Sequence, residues 1–400
     1  MAKLRAKLLI IMGIVGVLSA VLWMAQQGFF GQSTLASGHA NTSLIAAKPS
    51  VTERQQTGER VRADYLLAFP ADHGEHPLFD IEWWYLTANL ADKQGHEYGI
   101  QWTLFRFRSP KQADQDSPWS NEQLYMAHAS VHSLDSHWFA EKFARGEVGN
   151  AGVTTTPLQL YIDDWQWTNN TTTDSQQQHL LPAKVVFSAP LLTTLNDQAY
   201  ATVQATLQLQ ASGPIVLQGE QGYSVKSADA AYASYYYSQP FIDVSGQLRF
   251  SASDGHVELS TEVNGQAWFD HEWTSQLVDR QTLGWDWLSL HLDDGSKIMA
   301  FRMRIQGQAD FITGTHVTAD GKQNTLNAEH LSLSPIAWET VEARQLPLSW
   351  RLSIPQSKVD IRINSRKINQ WNPALLPYYE GMVDVTGSHQ GQGFLELTGY

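Results

Sequence analysis

The sequence predicts an all-β protein in which two antiparallel β-barrels follow one another, after an N-terminal hydrophobic helix. The main observation is a series of short segments in which apolar and polar residues alternate, separated by turns rich in Gly and Asp. Such alternation is typical of strands with one buried face, and many evenly spaced strands indicate a sandwich or barrel. A second observation is that the opening hairpin pattern of the first half returns in the second half.

The repeat between the two halves places a predicted domain boundary near Thr274. Residues 61–274 are expected to form the first domain, with about ten strands, and residues 275–400 the second. One register change in the turn is needed to align the hairpins, and chance similarity between two alternating hairpins is the alternative. The matched residues are Trp83 with Trp285, Tyr85 with Trp287, Leu90 with Leu292, and Arg106 with Arg302.

The N-terminus predicts a membrane anchor or an export signal within residues 1–30. Three basic residues precede the uncharged run Leu8–Ala25, and a run of about 18 such residues can just span a bilayer. The run is longer than the core of a usual signal peptide, although Gly38-His39-Ala40 is compatible with a cleavage site. Because a basic flank stays in the cytoplasm, the rest of the chain is expected to be exported. Residues 31–60 are small and polar and predict a linker.

The composition excludes several classes of function. The net charge is −13 and no basic stripe occurs, which argues against a nucleic-acid partner. The chain has 0 Cys, so disulfides, thiolate metal sites, a thiol nucleophile and a lipoprotein anchor are excluded. The 15 Trp, 14 Tyr and 15 Phe residues favour strands and are typical linings of ligand cavities.

The stretch from Gly265 to Gly295 concentrates the candidate catalytic residues. Indole rings lie in it beside carboxylates and an imidazole, which are rarely buried unless they are paired. The mixture predicts the polar floor of an apolar cavity where the two β-units meet. On a strand, Asp270 and Glu272 share one face, and His271 and Trp273 share the other. The candidate catalytic residues are Asp270, His271, Glu272 and Asp286, and the candidate ligand-binding residues are Trp273, Trp285, Trp287, Trp83, Tyr85 and Tyr236.

Each candidate also has a purely structural interpretation. In that interpretation Asp270 and Glu272 form buried ion pairs with Arg106 or Arg302, His271 is a core histidine, and the Trp rings fill the barrels. Glu82 is expected to fill the base of the first barrel, or else to face the junction. No metal is expected, although metal ligation is the alternative for two histidine groups. These groups are the loop of residues 72–77, expected to cap the barrel mouth, and His128, His132 and His137 with Glu122.

Several segments resemble one protein family over the range from about Phe69 to Tyr400. They are EWWYLTANL, YGIQWTLFRFR, MAHASVHSL, ASYYYSQPFIDVSGQL, WFDHEWTSQ, GWDWLSLHLDDG and the closing YYEGMVDVTG and GFLELTGY. Together they resemble the AttH-like, carotenoid 1,2-hydratase (hydroxyneurosporene synthase) family. The resemblance implies two lipocalin-like, calycin-type domains outside the cytoplasm, often accompanied by ABC-type export permeases. The expected location is the periplasmic side of the bacterial inner membrane, or the periplasm or medium if the N-terminal helix is cleaved.

The resemblance also implies a chemistry, because members of the hydratase branch add water to an isolated C=C bond. Such a reaction needs a carboxylic acid that stays protonated in an apolar pocket, aromatic faces beside the cation and a held water, without a metal or organic cofactor. A His-x-Trp pair is implicated in that branch and is matched by His271 and Trp273. The aromatic residue and aspartate that follow it are matched only loosely, by Trp285 and Asp286.

Three functions are therefore expected. The first is a membrane-tethered extracytoplasmic protein that binds an apolar small molecule, such as a lipid, isoprenoid or secondary metabolite, and works with an export permease. The second is a cofactor-free hydratase that acts on an isoprenoid double bond. The third is a structural subunit of an export complex that has no ligand.

Overall fold

Two antiparallel β-sheets make up the described part of the chain, which confirms the predicted all-β class. The computed structural model describes residues 58–109, 122–146, 149–173, 176, 178–195, 200–276 and 283–400. The helix predicted within residues 1–30 and the linker up to residue 57 lie outside the described residues. Among the residues that are described, no helix is long and apolar enough to cross a membrane.

Sheet 1 contains 13 strands. They are β1 (Ile81–Asp92), β2 (Glu97–Arg108), β3 (Gln123–His132), β4 (Ser136–Arg145), β5 (Ala151–Thr155), β6 (Leu158–Ile162), β7 (Trp165–Asn169), β8 (Ala183–Thr194), β9 (Thr202–Ala211), β10 (Val216–Leu217), β11 (Tyr223–Val225), β12 (Ala233–Ser251) and β13 (Val257–Thr274). Pairing follows the ring β12-β13-β1-β2-β3-β4-β8-β9, and β9 closes the ring on β12. Sheet 1 therefore encloses an interior, as a lipocalin-like unit requires.

Sheet 2 contains 10 strands, in the order β17-β16-β15-β14-β23-β22-β20-β19-β18, with β21 paired to β22. Their bounds are β14 (Leu283–Leu292), β15 (Lys297–Ile305), β16 (Phe311–Val317), β17 (Gln323–Asn327), β18 (Ser332–Val341), β19 (Arg344–Ile354), β20 (Val359–Ser365), β21 (Trp371–Asn372), β22 (Tyr378–Gly387) and β23 (Gly391–Leu397). Short 3-10 turns occur at Ala71–His73 and Pro355–Ser357.

Strand alternation gives each sheet an apolar core of its own. On β1, Trp84, Leu86 and Leu90 point into sheet 1, where they pack with rings such as Trp102 and Phe269. The core of sheet 2 is built in the same way, from residues that include Leu288, Leu290, Trp350, Leu352, Tyr379 and Leu395. Side chains on the opposite faces of the same strands point away from these two cores.

Those opposite faces pack against each other in a third cluster, which we call the seam. Gly99 on β2 allows close packing there, because a Cβ atom at this position would lie 2.5 Å from the Met382 side chain of sheet 2. Burial of one aromatic side chain contributes roughly 1.5–3 kcal/mol to the free energy of unfolding. The seam consists of Tyr85, Tyr236, Trp268, Trp287, Met299, Phe301, Met303, Met382 and Phe394, with Trp83, Trp285, Ile305 and Phe311 packed against them.

The last strand of sheet 1 ends at Thr274 and the first strand of sheet 2 begins at Leu283. Residues 58–400 nevertheless form one compact unit, because the seam joins the two sheets. The division into two domains at residues 61–274 and 275–400 stays a prediction.

Candidate functional site

Strand β13 distributes the predicted catalytic residues between two faces of sheet 1. Asp270 and Glu272 face the seam, whereas His271 and Trp273 point into sheet 1. Asp286 lies on β14, on the face turned towards the core of sheet 2. The structure therefore brings Asp270 and Glu272 together and puts His271 and Asp286 in two other places.

Asp270 is a buried carboxyl group that three hydrogen-bond donors surround. The Tyr236 hydroxyl donates to Oδ2 at 2.8 Å, the Trp268 indole donates to Oδ1 at 2.7 Å, and the Ser238 hydroxyl also donates to Oδ1. Burial raises the pKa of Asp270 to about 7, although the three donors favour its charged form. Near neutral pH, both the protonated and the charged form of Asp270 are therefore populated.

Glu272 is the neighbouring carboxyl group on the same face, and it has a cation beside it. The Lys226 ammonium lies 3.0 Å from its Oε1, and the Ser234 hydroxyl donates to the same oxygen. Lys226 also lies 4.4 Å from the ring centre of Tyr236 and 4.9 Å from that of Phe301. A carboxylate and two aromatic faces therefore hold the Lys226 ammonium in place.

Glu380 and Glu396 form a second carboxyl pair in the seam, directly opposite each other on β22 and β23. The Tyr85 hydroxyl lies 2.8 Å from both oxygens of Glu380, and the Trp285 indole donates to Glu396 at 2.6 Å. Each of the two carboxyl groups shifts the pKa of the other, as expected when adjacent carboxyl groups share one proton.

The environment keeps this pair protonated. Burial and the charge of Glu396 raise the pKa of Glu380 well above its usual value. Burial raises the pKa of Glu396 to about 7, and the charges of Asp270 and Glu272 add to this effect. Sequence reasoning missed the pair, although each member is a carboxylate within an apolar strand. That pattern was the available signal.

Five of the six predicted ligand-binding residues lie in or against the seam. The rings of Tyr85 and Trp287 meet edge to face at 5.2 Å, and the Trp287 indole donates to the Tyr236 hydroxyl at 3.3 Å. Trp83 and Trp285 pack against the same cluster. The sixth residue, Trp273, lies inside sheet 1.

An open groove of about 590 Å³ lies beside the seam, between β10–β11 of sheet 1 and β16–β17 of sheet 2. Phe311 belongs to the lining of the groove and also packs against the seam cluster, so the groove reaches the aromatic residues. The other lining residues are Ile215, Leu217, Gly219, Glu220, Gln221, Tyr223, Val225, Thr313, Gln323, Thr325, Leu326 and Asn327.

The interior of sheet 1 holds a separate set of polar groups, which we call the imidazole network: Asp72, His76, Glu82, Arg106, Tyr237 and His271. Glu82 is at its centre and is fully buried. Its Oε1 lies 2.6 Å from His76 Nδ1 and 2.8 Å from His271 Nε2, and Arg106 Nε donates to Oε2 at 2.8 Å. Sequence reasoning had considered Glu82 only as a filler of the barrel base or as a group at the junction.

Protonation in the imidazole network follows from these contacts. Burial favours neutral Glu82, but His76 and Arg106 outweigh it and hold its pKa well below the usual value. Burial likewise opposes the charged form of His76, whereas Glu82 and Asp72 raise its pKa to about 9. For His271 burial prevails and lowers the pKa to about 4. The network is therefore a set of paired charges around a neutral imidazole.

Asp286 sits in a structural ion-pair cluster. Arg302 Nε donates to its Oδ2 at 2.6 Å, Arg304 Nε lies 3.3 Å from the same oxygen, and the Tyr400 hydroxyl donates to Oδ1 at 2.7 Å. The arginines considered as partners for Asp270 and Glu272 are thus engaged elsewhere, Arg302 with Asp286 and Arg106 in the imidazole network. Asp286 contacts neither Asp270 nor Glu272 in this arrangement.

The predicted histidine group on β3 and β4 does not converge on a metal. His128 is bonded to Glu141 at 3.0 Å and to the Tyr378 hydroxyl at 3.1 Å. His132 and His137 are buried and stacked at 4.2 Å, and within the described residues neither ring makes a hydrogen bond of normal geometry. Glu122 pairs instead with Arg108.

The stacked pair predicts a pH effect on stability. Burial and its His137 and Lys367 neighbours hold the pKa of His132 well below 6.5, so below pH 6.5 the unfolded chain takes up a proton that the folded chain does not. Stability is therefore lost as the pH falls, by about 1.4 kcal/mol per pH unit for one such group. When urea unfolding is measured at pH 7 and at pH 5, the free energy of unfolding of His132→Phe should rise relative to that of the parent by roughly 2 kcal/mol as the pH falls. For His256→Phe, at an exposed position, the stability difference from the parent should not change with pH. A stability difference between His132→Phe and the parent that is independent of pH would contradict the low pKa of His132.

The paired sheets, their separate cores and the aromatic seam define a protein of two lipocalin-like units. The chain belongs to the AttH-like family, whose family model matches residues 60–400, so the resemblance recognised in the sequence is confirmed. A search of the curated proteins gives no match.

Two solved structures have a similar fold. An AttH protein from Nitrosomonas europaea is 29% identical, with a TM-score of 0.71, over 86% of this chain and 99% of that chain. Kievitone hydratase from Nectria haematococca is 14% identical, with a TM-score of 0.58, over 86% of this chain and 96% of that chain. At that lower identity the second likeness concerns the fold alone.

Proposed function

We propose that this protein binds an apolar small molecule at the seam, and that the molecule reaches the seam through the adjoining groove. One observation carries the proposal: the seam combines aromatic and Met side chains from both sheets with carboxyl groups whose pKa burial raises, that of Glu380 well above its usual value and that of Glu396 to about 7. Ligand sites are typically concave and apolar, with a few polar groups that fix orientation. A neutral carboxylic acid suits such a site, because it can donate a hydrogen bond without bringing in a charge.

The lining indicates the class of ligand. Phe311 of the groove lining and Phe301 and Met303 of the adjacent seam are apolar, and Met side chains adapt to ligands of irregular shape. Tyr85 and Trp287 offer ring faces and edges to double bonds. A long unsaturated hydrocarbon, such as an isoprenoid or a lipid chain, matches these surfaces best.

Native mass spectrometry of protein isolated from its host should reveal a bound lipid that is released on unfolding. Farnesol, an acyclic isoprenoid alcohol, serves as a defined probe for titration. Thr325→Trp, which narrows the groove, should weaken farnesol binding by about tenfold or more. Thr340→Trp makes the same change at an exposed site outside the groove and should leave binding unchanged. Absence of both a native ligand and farnesol binding would leave the structural subunit as the remaining function.

Acid catalysis is a second candidate function, and the shared proton of Glu380 and Glu396 favours it. In a hydration, the π electrons of the bound alkene take the Glu380 proton and form a C–H bond. Water then adds to the resulting cation through a C–O bond, and its surplus proton returns to the carboxylate pair. The net change is alkene plus water to alcohol, and the ring faces of Tyr85 and Trp287 stabilise the cation.

We further propose that the protein works outside the cytoplasm, tethered by residues 1–30 and associated with an export permease. The support is the basic flank and apolar run at the N-terminus, together with membership of the AttH-like family. A tethered carrier would hold an apolar molecule close to the bilayer, where such molecules partition.

A further inference from the structure

We propose that His76, Glu82 and His271 form a binding site for a divalent transition-metal ion, with zinc as the representative ion. The carboxylate oxygen Oε1 of Glu82 lies within 2.8 Å of one nitrogen of each imidazole, and the three donor atoms lie within 4.8 Å of one another. Two imidazoles and a carboxylate are a common ligand set of zinc and non-haem iron sites.

The spacing of the donor atoms requires little adjustment to admit an ion. Around zinc, with bonds of about 2.1 Å, neighbouring ligand atoms lie roughly 3.0–3.4 Å apart. The two nitrogen–oxygen distances to Glu82, 2.6 and 2.8 Å, need to lengthen by roughly 0.2–0.8 Å. The mixed nitrogen and oxygen donors favour zinc, iron, cobalt or nickel over magnesium or calcium.

Each of the three ligands has an outer partner that fixes its orientation. His76 Nε2 lies 3.3 Å from Asp72 Oδ1, and His271 Nδ1 lies 3.2 Å from the Tyr237 hydroxyl. On Glu82, Oε2 accepts from Arg106 Nε at 2.8 Å and from the backbone N–H of His76 at 2.8 Å. Outer-shell contacts of this kind are what hold ligands in metal sites, and they leave the inner atoms facing one another.

Aromatic rings pack on both imidazoles of the site. The Trp273 ring stacks on His76 at 3.8 Å with an angle of 4° between the planes, and the Trp84 ring stacks on His271 at 4.6 Å. Glu82 and His271 come from the paired strands β1 and β13, whereas His76 comes from the preceding loop. A bound ion would therefore fasten that loop to the barrel wall.

The proposal differs from the sequence-based expectation that no metal is bound, and it is independent of the seam, which lies on the opposite face of β13. The test uses the full chain in detergent, dialysed against a chelator and then titrated with zinc by calorimetry. Cobalt absorption spectra report whether the ion sits in a nitrogen and oxygen ligand field. We expect one high-affinity ion per chain and a rise in the melting temperature on zinc addition.

Matched variants separate this site from the exposed histidines. His76→Gln should lower zinc affinity at least 100-fold, and Asp72→Asn, which keeps all three ligands, should lower it about 10- to 100-fold. His256→Gln changes an exposed histidine and should leave affinity unchanged. The proposal is overturned if the parent binds no stoichiometric zinc, or if His76→Gln and Asp72→Asn both bind zinc as the parent does.

Discussion

Replacing Arg106 with methionine is expected to lower the free energy of unfolding by about 3–5 kcal/mol, because it removes one of the two cations, Arg106 and His76, that pair with the buried Glu82 carboxylate. Arg106 and Glu82 are both fully buried, and their Nε and Oε2 atoms are 2.8 Å apart. The guanidinium also donates to Gln123 Oε1 at 2.7 Å and to the backbone carbonyls of His76 and Phe79 at 2.7 and 3.0 Å. Methionine retains much of the volume but none of these donors, so the loss is mainly electrostatic.

Urea unfolding of the parent and the variant at pH 7 measures this loss. Arg351→Met is the matched control, because Arg351 pairs with Asp360 at 2.8 Å on the surface, where 61% of the arginine side chain is exposed. An exposed pair contributes about 0–1 kcal/mol. Equal losses in the two variants would show that burial of the Glu82 pair has no special energetic weight.

The same arrangement recurs at the opening hairpin of each sheet. Glu82 on β1 stands opposite Arg106 on β2, and Asp286 on β14 stands opposite Arg302 on β15. In both hairpins the carboxylate points into its own sheet, away from the seam. The repeat aligned from the sequence matches Arg302 with Arg106, but it matches Asp286 with Trp84 and Glu82 with Gly284, so the two carboxylates occupy different positions of the repeat.

Strand alternation explains what could be predicted about the site. The period of two puts Asp270 and Glu272 on one face of β13 and His271 on the other, and hydrogen-bond partners on opposite sides of the strand agree. The aromatic residues at the junction were predicted by the same pattern, as were the strands themselves. Local sequence is sufficient for such features because the backbone fixes the direction of each side chain.

The parts of the site that the sequence did not predict depend on the register between distant segments. Glu380 and Glu396 meet only because β22 and β23 pair in one register, and Tyr85 reaches Glu380 from another sheet, 295 residues away in the sequence. His76 enters the barrel from a loop, where no periodicity indicates the direction of a side chain. Such juxtapositions follow from tertiary packing, which alternation within one strand does not encode.

Glu380→Gln is expected to reduce hydration of an isoprenoid double bond by about 10²–10⁴-fold, because glutamine cannot transfer a proton to the alkene. Turnover of farnesol is measured in ¹⁸O-labelled water, as the amount of label that is incorporated into the hydrated product, a diol. Glu396, with a pKa of about 7, ionises first and leaves a proton on Glu380, so the rate should persist through this pH and fall only at higher pH, where Glu380 itself loses its proton. The same label experiment with Glu258→Gln, an exposed position on β13, should show the rate of the parent.

Stability separates loss of chemistry from loss of fold in this variant. A carboxyl group whose folded pKa is raised contributes stability that is lost as the pH rises, because the folded chain then holds a proton that the unfolded chain has released. Glutamine removes that dependence at position 380 and keeps an oxygen that can accept from the Tyr85 hydroxyl, as Glu380 does at 2.8 Å. Glu380→Gln should therefore be at least as stable as the parent at pH 8. Label incorporation at the parental rate would exclude Glu380 as the acid, whereas no incorporation in the parent would exclude hydration of farnesol and leave ligand binding to be judged by the titration.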